Sequence, residues 1–257
     1  VYSKTGTVTA SYADSVYSAG QIEKDISENV RLNVNLECEV RSIDANGLPS
    51  ATHCVVRSLS GSENDETIAP MTAGESFDIH ESSNGTVVTG IPLSEGRALP
   101  LAIDAAVGRI NPASPGHIGW DFHRGASPGE SWPTDPAEIR SALSDGALSV
   151  KGADISGTTR YVDQRFVGDT KCAYLYSEIV ITGVTVPGLP AGVQVNQSDM
   201  FLALAVDLPL DAMGHLVASE ITASHSIDSS KNGLHAGRSM SLKGKFSYDY
   251  LEGDGPE

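Results

Sequence analysis

From Val30 to Val40 the chain alternates without a break: Val30, Leu32, Val34, Leu36, Cys38 and Val40 are apolar, while Arg31, Asn33, Asn35, Glu37, Glu39 and Arg41 are polar. Successive side chains of a strand point to opposite faces, so this stretch presents one apolar face and one wet face, the pattern of an antiparallel sheet laid on a core. It runs into Asp44-Ala45-Asn46-Gly47-Leu48, which suits a three-residue hairpin loop with Gly47 in the left-handed conformation, and a second strand, Ala51 to Leu59, follows. Pairing Asp44 with Leu48 sets Cys38 directly opposite Cys54. In this register the pair is of the hydrogen-bonded kind, whose wider Cα spacing admits a disulfide by distance but less readily by side-chain direction. A cross-strand disulfide and two small buried thiols are the two readings.

The same design recurs near the other end. Met200, Leu202, Leu204, Val206 and Leu208 alternate with Phe201, Ala203, Ala205 and Asp207 before Asp211-Ala212-Met213-Gly214-His215 turns the chain. The echo of DANGL in DAMGH points to two related halves. Further hairpin signals are Ser83-Asn84-Gly85 between Phe77–His80 and Thr86–Val88, Gly168-Asp169 between Tyr161–Val167 and Lys171–Ile181, and Asn232-Gly233 before Ser239–Tyr250. Cys172 sits inside an alternating strand with Tyr174 and Tyr176 and reads as a buried structural thiol.

Helical signals are few. Asp135-Pro136-Ala137-Glu138 supplies an N-cap, a proline at the first helical position and a capping-box acid, and Ile139, Ala142 and Leu143 form an apolar stripe that stops near Gly146. Leu99, Ile103 and Val107 space a second short helix ended by Gly108, with Pro100 in its first turn. The predicted fold is mainly β: a long antiparallel meander forming a curved sheet or half-barrel with one or two short helices packed on it. It is read as a single β-rich domain, 1–257, which also divides into two related halves, 1–110 and 128–257, joined by a Gly/Pro-rich connection, 111–127.

A formal charge of -16, with 33 acidic against 17 basic residues, lacks the basic footprint that nucleic acid or an anionic membrane surface requires. No apolar run approaches the roughly 20 residues of a membrane-spanning helix, and Asp207 interrupts the longest, Met200 to Leu210. The chain begins at Val1 without Met, and the expectation is an extracytoplasmic protein, periplasmic or at the cell surface, whose secretion or lipoprotein leader precedes this residue.

Pro128-Gly129-Glu130-Ser131-Trp132-Pro133, followed by the Asp135-Pro136 helix start, resembles a family of uncharacterised exported bacterial proteins with a G-[DE]-S-W-P motif. Those proteins share the order of hairpins, helix, motif and second β run, and have no assigned activity, so the resemblance implies export and a β-rich fold but no catalytic residue. The architecture is also similar to periplasmic lipoprotein-carrier half-barrels, a likeness of fold class.

His117, Asp121 and His123 in GHIGWDFHRG are the residue types of a zinc or iron site, but HxxxDxH is not an established ligand spacing, and Trp120 and Phe122 beside them suit a packed or surface loop better. Glu63-Asn64-Asp65-Glu66 offers oxygen donors for calcium without the spacing of a calcium loop, and reads as a solvated acidic turn. Asp78 and His80 share one strand face while Glu81 takes the other. Neither a nucleophile elbow nor a phosphate loop occurs, so no catalytic residue and no cofactor is assigned. The leading reading is a non-enzymatic binding or carrier module for an apolar, lipid-like ligand, with Ile103, Val107, Trp132, Ile139 and Leu143 as the groove residues. A cell-envelope interaction domain without a small-molecule site is second, and a metal-dependent hydrolase built on the His117 loop is third.

Overall fold

The structure is a computed structural model and describes residues 1–18, 21–43, 49–82, 85–91, 96–107, 126–143, 150–185, 191–210 and 216–250. These form β1 (Tyr2–Ser18), β2 (Gln21–Ile43), β3 (Pro49–Glu63), β4 (Glu66–Met71), β5 (Ser76–Ser82), β6 (Gly85–Thr89), α1 (Ala98–Val107), β7 (Ser131–Pro133), α2 (Pro136–Ala142), β8 (Asp154–Val167), β9 (Thr170–Thr182), β10 (Gln194–Pro209), β11 (Ala218–Lys231) and β12 (Leu234–Tyr250). All the strands belong to one antiparallel sheet in the order β6-β5-β3-β2-β1-β12-β11-β10-β9-β8-β7, with β4 paired to β3, and the sheet does not close on itself. The protein is therefore mainly β, an open sheet carrying short helices, as the alternating segments predict.

The centre of the sheet is a seam between the two ends of the strand series. β1 pairs with β12 along its whole length, from Tyr2↔Tyr250 to Ser18↔Leu234, and with β2 on its other side. One face of the seam is apolar: Val8, Ala10 and Tyr12 of β1, Val30, Leu32, Val34 and Leu36 of β2, and Leu242, Phe246 and Tyr248 of β12 are all buried. This inner face continues through Cys54, Val56, Leu59 and Phe77 on one side and through Ile221, Leu202, Leu204, Ile179, Ile181 and Leu175 on the other, in a single core cluster.

Helix α1 lies over the seam, packed on β1, β2 and β12, while α2 packs on β8. None of the ten residues of α1 is exposed. Nine of its ten residues are apolar, Asp104 being the exception, so most of the helix has to be enclosed, and Ala102, Ala105 and Ala106 allow it to sit close to the strands. Both of its ends are held by charged side chains from the sheet. At the N-terminus the Glu28 carboxylate accepts the N–H groups of Arg97 and Ala98, at 2.7 and 2.9 Å. At the C-terminus the Lys4 ammonium donates to the Ala106 carbonyl at 2.9 Å and lies 4.1 Å from the centre of the Phe246 ring. A negative group at the start and a positive group at the end are what the helix dipole and its unpaired terminal amides and carbonyls favour. The Phe246 ring reaches this position because Gly6 and Gly244 lie beneath it: a Cβ at either would come within 2.8 Å of a ring atom.

The turns follow their sequence signals where they are described. Asn232 and Gly233 have φ of 52° and 81°, the pair of left-handed residues of a type I′ hairpin, and Gly168-Asp169 joins β8 to β9. Asp135 caps α2 by accepting the Ala137 N–H at 2.8 Å. Residues 44–48, 83–84 and 211–215, where three further hairpin loops are predicted, lie outside the described residues, as does most of the 111–127 connection. Cys38 and Cys54 pair across β2 and β3 and are joined by a disulfide, and Cys172 is a buried thiol outside any disulfide. The expected wide pairing is corrected here: the two Cα atoms are only 4.1 Å apart, the close approach of a non-hydrogen-bonded pair. Irregularities in the β2–β3 ladder on the hairpin side, between Val40 and Ser42 and between Ser42 and Ile43, are what counting back from an ideal loop does not anticipate.

Two outcomes follow for solution. Denatured without reductant, the protein should present one reactive thiol, Cys172, and three after reduction; three before reduction would exclude the bridge. Closing a loop between residues 16 apart, the bridge should contribute about 3 kcal/mol to stability, measurable by urea unfolding with and without reductant. Lys4 gives the second outcome. Burial pushes its ammonium down to about 7, so between pH 7 and the ordinary lysine value the unfolded chain binds more protons than the folded one. Stability should accordingly rise over pH 7–10 through this residue, by an amount on the order of 4 kcal/mol if the group stays fully desolvated. In Lys4→Met the rise should flatten, with the variant matching or exceeding the parent at pH 6; an identical pH profile in parent and variant would contradict the burial of this charge.

Candidate functional site

The inner face changes character at the N-terminal end of α1. Two neighbouring rows of side chains cross the sheet there, one over six strands and one over five. The first runs Ile181, Met200, His225, Met240, Tyr12 and Glu28 from β9 to β2, and the second runs Ser198, Ile227, Arg238, Asp14 and Ile26 from β10 to β2. Each polar member occupies a position that alternation assigns to the core. His225 follows Ile221 and Ala223 in the inward phase of β11, and Arg238 precedes Met240, Leu242, Gly244 and Phe246 in that of β12.

Their hydrogen bonds form two groups. Asp14 Oδ2 accepts from the Tyr12 hydroxyl at 3.0 Å, from Arg238 Nη2 at 3.3 Å and from Arg97 Nη1 at 3.4 Å. Both guanidinium groups lie over the Tyr12 ring, Arg97 at 4.7 Å and Arg238 at 5.8 Å from its centre. Beside them the buried Ser198 hydroxyl and His225 Nε2 are 3.0 Å apart. Burial, and then the Arg238 charge, hold the His225 imidazole below its ordinary value, so it is neutral in the folded protein near pH 7. His225 Nδ1 and Arg238 Nε are buried and have no hydrogen-bond partner among the described residues.

A serine bonded to a histidine is half of a nucleophile and base arrangement, but no carboxylate orients Nδ1, and Ser198 lies within a paired strand rather than on a turn that presents free backbone N–H groups. What the two rows offer is a set of polar anchors facing apolar side chains. Met200, Ala223 and Met240, next to them on β10, β11 and β12, are only partly buried. Met200 and Ala223 lie on strands between those that α1 and α2 pack on, and Met240 is on β12, the outermost strand that α1 contacts on that side.

The groove residues expected from sequence fall into two sets by burial. Ile103, Val107 and Ile139 are 2%, 1% and 0% exposed, enclosed in the core, so they support the floor and roof rather than present a surface. Trp132, in β7 opposite Thr159, and Leu143, after α2, are half-buried against the same core. His117, Asp121 and His123 lie outside the described residues. Among the described residues no three His, Cys, Asp or Glu side chains are grouped to hold a metal ion. Asn64 and Asp65 form the turn between β3 and β4 with positive φ.

The outer face carries two polar clusters of its own. Arg165 grips Asp207 with two bonds of 2.6 and 2.8 Å and stacks 3.6 Å over Tyr174, which covers an otherwise buried carboxylate. Asp78 is 2.8 Å from His53 Nδ1 and near Arg41; the His53 hydrogen bond chiefly holds its carboxyl below the usual range. His53 and Asp78 fasten the neighbouring strands β3 and β5, while Arg165 reaches across β9 to tie β8 to β10.

No protein-family profile and no curated protein matches the chain. No helix among the described residues is long and apolar enough to cross a membrane.

Because Glu28 closes the N-terminus of α1 in place of an ordinary cap, Glu28→Ala should lower stability by about 1–2 kcal/mol in urea unfolding. A variant as stable as the parent would show that α1 does not depend on this carboxylate.

Proposed function

We propose that this chain is an extracytoplasmic, non-enzymatic binding or carrier module that holds an apolar, lipid-like ligand against the inner face of its sheet, on β10, β11 and β12 between the two helices. The observation that carries the reading is the incomplete burial of Met200, Ala223 and Met240 beside the closed Leu202, Leu204 and Leu242, on a face where Ile26 and Leu208 are partly buried as well. Partly exposed methionines beside fully buried Leu202, Leu204 and Leu242 make an adaptable apolar surface continuous with the core. The Cys38–Cys54 disulfide supports an oxidising compartment, the periplasm or cell surface among them, and export fits the resemblance carried by Gly129-Glu130-Ser131-Trp132-Pro133.

A second reading, an envelope interaction domain with no small-molecule site, draws on the enclosure of Ile103, Val107 and Ile139 in the core. The two readings separate in one experiment. Delipidated protein should bind Nile red, a neutral apolar dye, at micromolar concentration with a blue-shifted emission. Met240→Asp should weaken binding at least about tenfold while its circular-dichroism spectrum stays that of the parent, since one buried charge outweighs the apolar gain of the face. Leu143→Asp, at the end of α2, should leave dye affinity within about twofold. Absence of dye binding by the parent would favour the domain without a ligand site.

A further inference from the structure

Resting on the carrier reading, we infer that the ligand of this face is an amphiphile with an anionic head group, received by Arg238 and His225 with Arg97 at the rim. The donors decide this. Both carboxylates of the two rows are already engaged: Asp14 by Tyr12, Arg97 and Arg238, and Glu28 by the first N–H groups at α1. The unengaged buried atoms are Arg238 Nε, whose hydrogen is a donor that a guanidinium never gives up, and His225 Nδ1. Buried polar atoms are nearly always satisfied, so two without partners on adjacent strands of one face are groups that a ligand can satisfy.

The chemical class follows from the geometry of the donors. Arg238 Nη2 is taken by Asp14, and the Nε–H on the same planar edge is left as a charged donor for one oxygen of a carboxylate or phosphate. If the Ser198 hydroxyl donates to His225 Nε2, the ring carries its proton on Nδ1 and becomes a second donor without a change of charge. His225 and Arg238 are diagonal neighbours on β11 and β12, within reach of one small anion. The Arg238 side chain is 34% exposed and that of Arg97 is 48% exposed, so a head group reaches them from solvent. Met200 and Met240 flank His225 one row in from Arg238, where an acyl chain continues from the head group onto apolar side chains.

Displacement of Nile red by palmitate, hexadecanol and acetate tests the inference. Palmitate should displace the dye at about tenfold lower concentration than hexadecanol, the effect of one charge-assisted hydrogen bond, and acetate should displace none. In Arg238→Leu the advantage of palmitate should fall to about threefold or less with hexadecanol unchanged, and Arg97→Leu should reduce it partially. Should Arg238→Leu fail to fold by circular dichroism, Arg238→Lys, which keeps the charge and loses the planar edge, is read in the same way. Equal displacement by palmitate and hexadecanol, or a loss in Arg238→Leu that affects both alike, overturns the anionic head group and leaves the apolar site standing. Displacement by acetate alone overturns the amphiphile. No dye binding at all removes the carrier reading and this inference together.

Discussion

Two strands from opposite ends of the sequence, β1 and β12, hydrogen-bond to each other from Tyr2↔Tyr250 to Ser18↔Leu234, and every other strand is attached through one of them. β2, β3, β5 and β6 extend from β1, and β11, β10, β9, β8 and β7 from β12. Most neighbouring strands within each wing are joined by short connections, but the seam closes a loop as long as the chain, the costliest kind of contact to form in entropy. Its compensation is the apolar layer it creates. The seam side chains Val8, Ala10, Leu242 and Phe246 form the surface on which α1 is laid, and Lys4 and Glu28 anchor the two ends of the helix. A ten-residue helix is marginal by itself in water, so α1 depends on that surface and on those two side chains.

The candidate site is a consequence of the same geometry. Because α1 covers β1, β2 and β12 while α2 covers β8, the inner face of β10 and β11 is bounded by helices and not centred under either. At the rim of that region the core-facing phase of three strands turns polar, with Asp14 on β1, His225 on β11 and Arg238 on β12. Polar residues placed inward weaken a core unless something satisfies them. Asp14 is satisfied by its neighbours; Arg238 Nε and His225 Nδ1 are not.

Alternation made the strands legible, because one buried and one wet face leave a period-two record in β2, β9 and β10. The helices were legible through caps and spacing: Leu99, Ile103 and Val107 marked α1, and Asp135-Pro136 marked α2. β1 was not legible. Tyr2–Ser18 is a run of Ser, Thr, Ala and Tyr in which Lys4 and Asp14 occupy the inward phase and Gly6 leaves it empty, so the apolar half of the pattern is broken at three places. The seam was hidden with it, since a pairing between residues more than 200 apart has no local signal. The site residues were missed for the related reason that a histidine or arginine in an alternating strand resembles an interruption. The usable signal was phase: His225 stands two positions from buried Ile227, and Arg238 in the same phase as Met240 and buried Leu242, and a polar residue in that phase has to find a partner.

The central claim is that the inner face of β10, β11 and β12 receives an apolar chain at the rim formed by Arg238 and His225. Photo-crosslinking with a palmitate carrying a diazirine near its terminal methyl, followed by peptide mapping, reads this directly. The account predicts labels on the inward residues of 200–204, 221–225 and 240–242, removed by excess unlabelled palmitate. Labels confined to the outer face, such as Tyr174, Tyr176 or Val180, or spread over the chain and insensitive to competition, would contradict it.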